Sequence, residues 1–208
     1  MATIAELKQR RAIAREKKRT LLQRFRSRKE QIKRLTRKIN SLKKNRRGVP
    51  NWLPDEFIPL WNHPWTEKAR TNMTFRTLLW SRGYASPNFT EPETRCKRGD
   101  RVPSHLIKGC QDQAFRLEEC RHDLGDVSLP ALSWYRPEDY NDYIGGASGS
   151  KHIQAIATDF DVGTVNRIGR AQFDAVFESE YTNDGFGQYP SGSRHGDVRG
   201  YRARWTSY

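Results

Sequence analysis

The stretch Ser150–Phe160, SKHIQAIATDF, decides how the rest of the chain is read. Its second half, Ala155 to Phe160, is mostly apolar and has the length of a short buried strand. His152 and Asp159 lie seven residues apart. That is too far for one helical turn, so the two meet only along a strand or loop path. Further on, RHGDVR brings His195 and Asp197, two apart, which alternation along a strand places on one face. Imidazole nitrogen and carboxylate oxygen are ligands that borderline divalent metals take. Two histidines and one carboxylate leave a tetrahedral position open for water, as a hydrolytic zinc needs. On spacing alone the simpler reading of His152 is a surface or capping histidine.

Working outward, the clearest helix runs from Pro103 to Leu124. Pro103 suits a first turn, Leu106, Cys110, Leu117 and Leu124 mark one face, and Gly125 ends it. Phe75, Leu78 and Leu79 fit a shorter helix ending near Gly83, followed by a turn at Ser86-Pro87-Asn88. Val127–Trp134 is strand-like, and Pro130 marks an edge or a bend. Phe173, Val176 and Phe177 form a helix face within 169–179. Alternating Val198, Tyr201, Ala203 and Trp205 predict closing strands of a small antiparallel sheet. The fold class expected is α+β, a small, mostly antiparallel sheet with packed helices, preceded by a long basic N-terminal helix.

That leading helix carries most of the charge. The chain has 208 residues, a mean hydropathy of −0.92 and a net charge of +14. Residues 1–48 hold 19 Lys and Arg against 3 acids, a net +16, while residues 49–208 stand at −2. No apolar run is long enough for a membrane span. Charge from Lys8 onward, with no apolar core, argues against a secretory signal peptide, so synthesis in a cytoplasm is expected. Residues 3–45 lack Pro and Gly, and Leu21, Phe25, Ile32, Leu35, Ile39 and Leu42 follow heptad steps. This arm, 1–48, suits a short coiled coil for self-association, or an anionic polymer or membrane surface. Sequence-specific nucleic-acid binding is not expected, because no base-reading motif is present. Residues 49–71 are rich in Pro and Trp and are expected to be an extended, ring-packed connector. Cys96, Cys110 and Cys120 are odd in number with no C-x-x-C, which suits buried or free thiols.

Four separated segments carry a resemblance. They are Trp134-Tyr135-Arg136-Pro137 with Tyr140-Asn141, then Gly145-Gly146-Ala147-Ser148, then Ser150-x-His152-x-x-Ala155-x-Ala157-x-Asp159, and last His195-x-Asp197-x-Arg199-Gly200. In this order they resemble the zinc D-Ala-D-Ala carboxypeptidase/endopeptidase family of bacterial and phage enzymes that cut peptidoglycan peptides. The fold is shared with vancomycin-resistance dipeptidases and hedgehog domains. The resemblance spans 72–208 and none of the arm.

It implies a zinc ion held by His152, Asp159 and His195. It implies Arg136 as the cation that stabilises the oxyanion or holds a substrate carboxylate, and Ser150 as a substrate contact. Asp197 is the nearest carboxylate for a general base, or equally a partner that orients a ligand histidine. Relatives often carry Glu three residues before the last ligand, where this chain has Gly192. Ala155 stands where the family has Gly, which predicts backbone strain, and Gly196 stands where a β-branched residue is common, which predicts a looser ligand strand. Arg199 and Arg204 are read as solvated strand charges. The implied function is hydrolysis of D-Ala-containing peptidoglycan stem peptides by a phage lytic enzyme, an endolysin or a virion-borne protein acting on the wall. The alternative is an inactive fold mounted on a virion or tail through its basic arm.

Overall fold

The computed structural model describes residues 4–45, 48–62, 66–162 and 168–206. The chain divides into two compact units, Met1–Ile58 and Pro59–Tyr208.

In the first unit, α1 (Ile4–Asn45) is one helix of 42 residues, continuous because nothing in it breaks the backbone ladder. Leu21, Ile32 and Leu35 of the heptad seam are exposed. The side chains of Phe25, Ile39 and Leu42 lie outside the described residues. Gly48, at φ +78, follows the helix in the left-handed region that suits its end.

The extended connector expected over 49–71 is corrected. A 3-10 turn (Asp55–Phe57), α2 (Ile58–Asn62) and α3 (Glu67–Thr71) occupy most of it. The prolines do not oppose this, because Pro54 caps the 3-10 turn and Pro59 sits in the first turn of α2, where a missing N–H costs nothing. Thr66 caps α3 by accepting from the Ala69 N–H at 3.3 Å. His63, Pro64 and Trp65 lie outside the described residues.

In the second unit, the Asn72 side chain caps α4 (Met73–Ser81), accepting from Phe75 N–H at 2.8 Å. A small hairpin follows, β1 (Tyr84–Ser86) and β2 (Phe89–Thr90). Its turn is held by Glu118, which accepts from Ser86 Oγ and from Asn88 N and Nδ2, each at 2.7 Å. Glu118 lies on α5 (Ile107–Asp123), whose buried face includes Cys110, Ala114, Leu117 and Cys120. All three cysteines are free and buried, and burial pushes the Cys110 thiol up to about 12.

The site is carried by a five-stranded sheet in the order β3-β4-β6-β5-β7. Its strands are β3 (Ala131–Ser133), β4 (Ala157–Asp161), β5 (Gly185–Gln188), β6 (Ser193–Asp197) and β7 (Ala203–Trp205). The helices α6 (Glu138–Tyr143) and α7 (Arg170–Glu180) lie between them in sequence. All pairs are antiparallel except β5 with β7, which is parallel. This corrects the expected antiparallel closure at the C-terminal strand. The far edge of β6 is already taken by β4, so a chain that reverses after β6 finds its free partner in β5 and runs with it. The helices and sheet enclose an aromatic core: Phe173 stacks on Phe177 at 4.1 Å, and Phe177 on Tyr181 at 5.5 Å. Burying these rings supplies the main driving force of this unit. Among the described residues, no helix is long and apolar enough to cross a membrane.

Candidate metal centre

Asp159 and His195 face one another across the central strand pair, because β4 and β6 pair in the register Asp159↔His195. His152 reaches them from a turn that precedes β4. That turn is fastened at several points by the Trp134–Arg136 segment. The Trp134 indole N–H donates to Ala155 O at 3.1 Å, and the Arg136 N–H donates to His152 O at 3.1 Å. Ala155 closes the turn on His152 O at 3.0 Å with φ +58. The left-handed backbone expected of a glycine is thus kept by an alanine, at a cost of roughly 1–2 kcal/mol.

Three donor atoms converge. His152 Nε2 lies 3.2 Å from Asp159 Oδ1 and 3.3 Å from His195 Nδ1, and His195 Nδ1 lies 2.8 Å from Asp159 Oδ1. A tetrahedral ion with bonds of about 2.0–2.1 Å needs donor atoms about 3.3 Å apart, so this triangle suits a zinc-sized cation. The opposite ring nitrogens set the tautomers. His152 Nδ1 donates to Trp134 O at 2.5 Å, and His195 Nε2 donates to Asp197 Oδ2 at 2.9 Å. As neutral rings, both histidines then turn an unprotonated nitrogen inward, the form a metal requires. Asp159 offers Oδ1 to the centre, while its Oδ2 accepts from the Arg136 guanidinium.

The charges are tuned by this crowding. Burial would raise the Asp159 pKa, but the His152 and His195 imidazoles outweigh it and hold it well below the ordinary carboxylate value. Burial lowers His152 despite Asp159. His195 is raised, because its bonds to Asp159 and Asp197 overcome desolvation. Asp197 is pulled down to about 2 against its burial, by Arg199 and His195.

Asp197 is fully buried, with Arg199 donating to both its oxygens at 2.6 and 2.5 Å. Its Oδ2 also accepts from His195 Nε2, the contact of a partner that orients that ring. Arg136 lines the cavity beside Asp159, is bound to Asp159 and donates to Ser133 Oγ at 2.8 Å. Ser150 donates its backbone N–H to Ala147 O at 3.0 Å and does not line the cavity beside Asp159. Gly192, at φ +97, is a turn residue between β5 and β6.

Sequence reasoning missed several supports. Arg199 is no solvated charge but the clamp on Asp197, lying 5.1 Å from the Trp205 ring. Arg204 is bound to Glu178 at 2.6 Å and to Asp184 O at 2.7 Å. The Gly185-Phe186-Gly187 alternation was the available signal. A Cβ on Gly185 would stand 2.3 Å from Asp197 Oδ2, and one on Gly187 2.3 Å from the Trp205 ring. These glycines make room for the groups behind His195. Gly196 likewise does not loosen its strand: a Cβ there would lie 2.9 Å from Tyr181 Cζ, so the tyrosine ring already fills that space.

With this geometry, the match of the family Peptidase M15 to residues 72–194 can be placed on the structure. It covers His152, Asp159 and the sheet up to the residue before His195. The chain belongs to peptidase family M15. This is a family of zinc D-Ala-D-Ala carboxypeptidase-type metallopeptidases. No curated protein matches the chain. As an M15 member its fold is the expected α+β arrangement, and its His152, Asp159 and His195 form a group that could hold a metal.

Proposed function

We propose that this M15 chain is a zinc-dependent peptidase that hydrolyses D-Ala-containing peptide bonds of bacterial peptidoglycan, and that it serves as a phage lytic enzyme. The supporting observation is the convergence of three donor atoms, each side chain fixed from behind by a further contact. Zinc held there would supply Lewis acidity, which acidifies water and polarises a peptide carbonyl. The residues of the chain do the rest. Arg136 occupies Asp159 Oδ2 and leaves Oδ1 aimed inward. Asp197, under Arg199, takes His195 Nε2 and so aims Nδ1 at the centre beside Asp159 Oδ1. The cavity beside Asp159, about 380 Å³, offers space for a peptide next to that ligand. The arm, at net +16 over 1–48, would hold the enzyme near anionic wall polymer or membrane, an attraction that weakens with salt.

A second reading, an inactive fold serving as a virion component, draws on one observation. Among the described residues, Asp159 is the one acid lining that cavity, and it is engaged on both oxygens. Metal analysis with mass spectrometry of digested peptidoglycan decides between them. The peptidase reading expects one zinc per chain, new stem-peptide fragments, and loss of both in a folded His152→Ala variant. Intact peptidoglycan with zinc bound would favour the structural reading.

A further inference from the structure

The cavity beside Asp159 has a charge that the metal chemistry leaves unused. Its walls include Lys97, Arg136, Tyr140, Asp159, Tyr189 and Ser193. Asp159 is taken by the two histidines and by Arg136, so the Arg136 charge is matched. Lys97 has no acid partner among the described residues. Its neighbour Arg98, by contrast, binds Asp100 and Asp139, each at 2.8 Å. The loop that carries Lys97 is held in place. Cys96 N–H donates to Asp100 O at 3.0 Å, Gly99 N–H to Cys96 O at 2.8 Å, and Tyr135 N–H to Thr94 O at 3.2 Å. The last of these ties the loop to the same segment that fastens the His152 turn.

We propose that Lys97 is a specificity-determining residue, pairing with a carboxylate of the bound stem peptide while the scissile carbonyl lies at the three donors. The inference rests on the peptidase reading and names the chemistry of its substrate. An exposed ammonium costs the free protein nothing in desolvation, and gains a partner when a peptide displaces water from the cavity. An amide or an apolar group at that place leaves the ammonium without a partner, which gives selection for an anionic peptide. The carboxylate is either the terminal one or that of a side chain, and the two sources are separable.

The test uses the zinc-loaded full chain and three synthetic stem peptides: one with all carboxyls free, one amidated at its terminus and one amidated at its side-chain carboxyl. Calorimetry gives Kd and mass spectrometry gives cleavage. One of the two amidations is expected to weaken binding about tenfold or more, which identifies the carboxylate. Lys97→Ala should bind all three peptides alike and raise KM with kcat unchanged, and Lys97→Arg should restore the discrimination. Equal binding of the three peptides by the unaltered chain, or discrimination that persists in Lys97→Ala, overturns the proposal. Lys97-dependent discrimination without any cleavage would sink the peptidase reading while leaving the carboxylate contact standing. Cleavage without discrimination would do the reverse.

Discussion

Asp197 shows what a residue does by where its lone pairs go. Placed two after His195 on one strand, it suited a base or an orienting partner equally by alternation. Full burial, the Arg199 clamp and the contact with His195 Nε2 favour the orienting partner. Asp197→Asn, which can present an N–H toward His195 and favour the wrong tautomer, should weaken zinc affinity roughly 10–100-fold. Competition against a chromogenic chelator would read that, and unchanged affinity would refute the assignment. The three donors were legible in the sequence because their residue types sit in a recognisable motif. The roles of Arg136 and Arg199 were not. Sequence shows a charge but not the carboxylate that folding brings to it, here 23 residues away for Arg136 and on the same strand end for Arg199.

At the scale of elements, helices were the most readable, since α5 and α7 repeat their apolar residues with the period of a turn. The connector was misread because proline was taken as a breaker, whereas Pro54 and Pro59 occupy positions where helices accept it. The direction of β7 was invisible, because it depends on which sheet edge is free. Strand β6 carries its own test. Tyr181 is fully buried, stacked on Phe177, and bound through its hydroxyl to Gln113 at 3.0 Å, so it cannot retreat from a new side chain at position 196. Gly196→Val should therefore destabilise the protein by about 1–3 kcal/mol. Chemical denaturation would measure this, and an unchanged midpoint would show that the ring yields.

For the whole molecule, stability should depend on pH through Glu118. Burial raises its pKa above the ordinary value of 4.5, against the three donors of the hairpin turn. The folded state thus holds its proton more tightly than the unfolded chain does. This contribution is fully present below the ordinary value and is lost as pH rises through the raised one. Denaturant midpoints of the metal-free protein should fall over that window, and Glu118→Gln should flatten the fall. A midpoint insensitive to this substitution would show that other groups set the profile. The packing of Trp205 against Gly187 has an optical consequence. Its ring lies 5.2 Å from the His195 ring, which makes it a built-in reporter among six tryptophans. A paramagnetic ion such as cobalt, seated at the histidines, should quench a share of the intrinsic emission that Trp205→Phe abolishes.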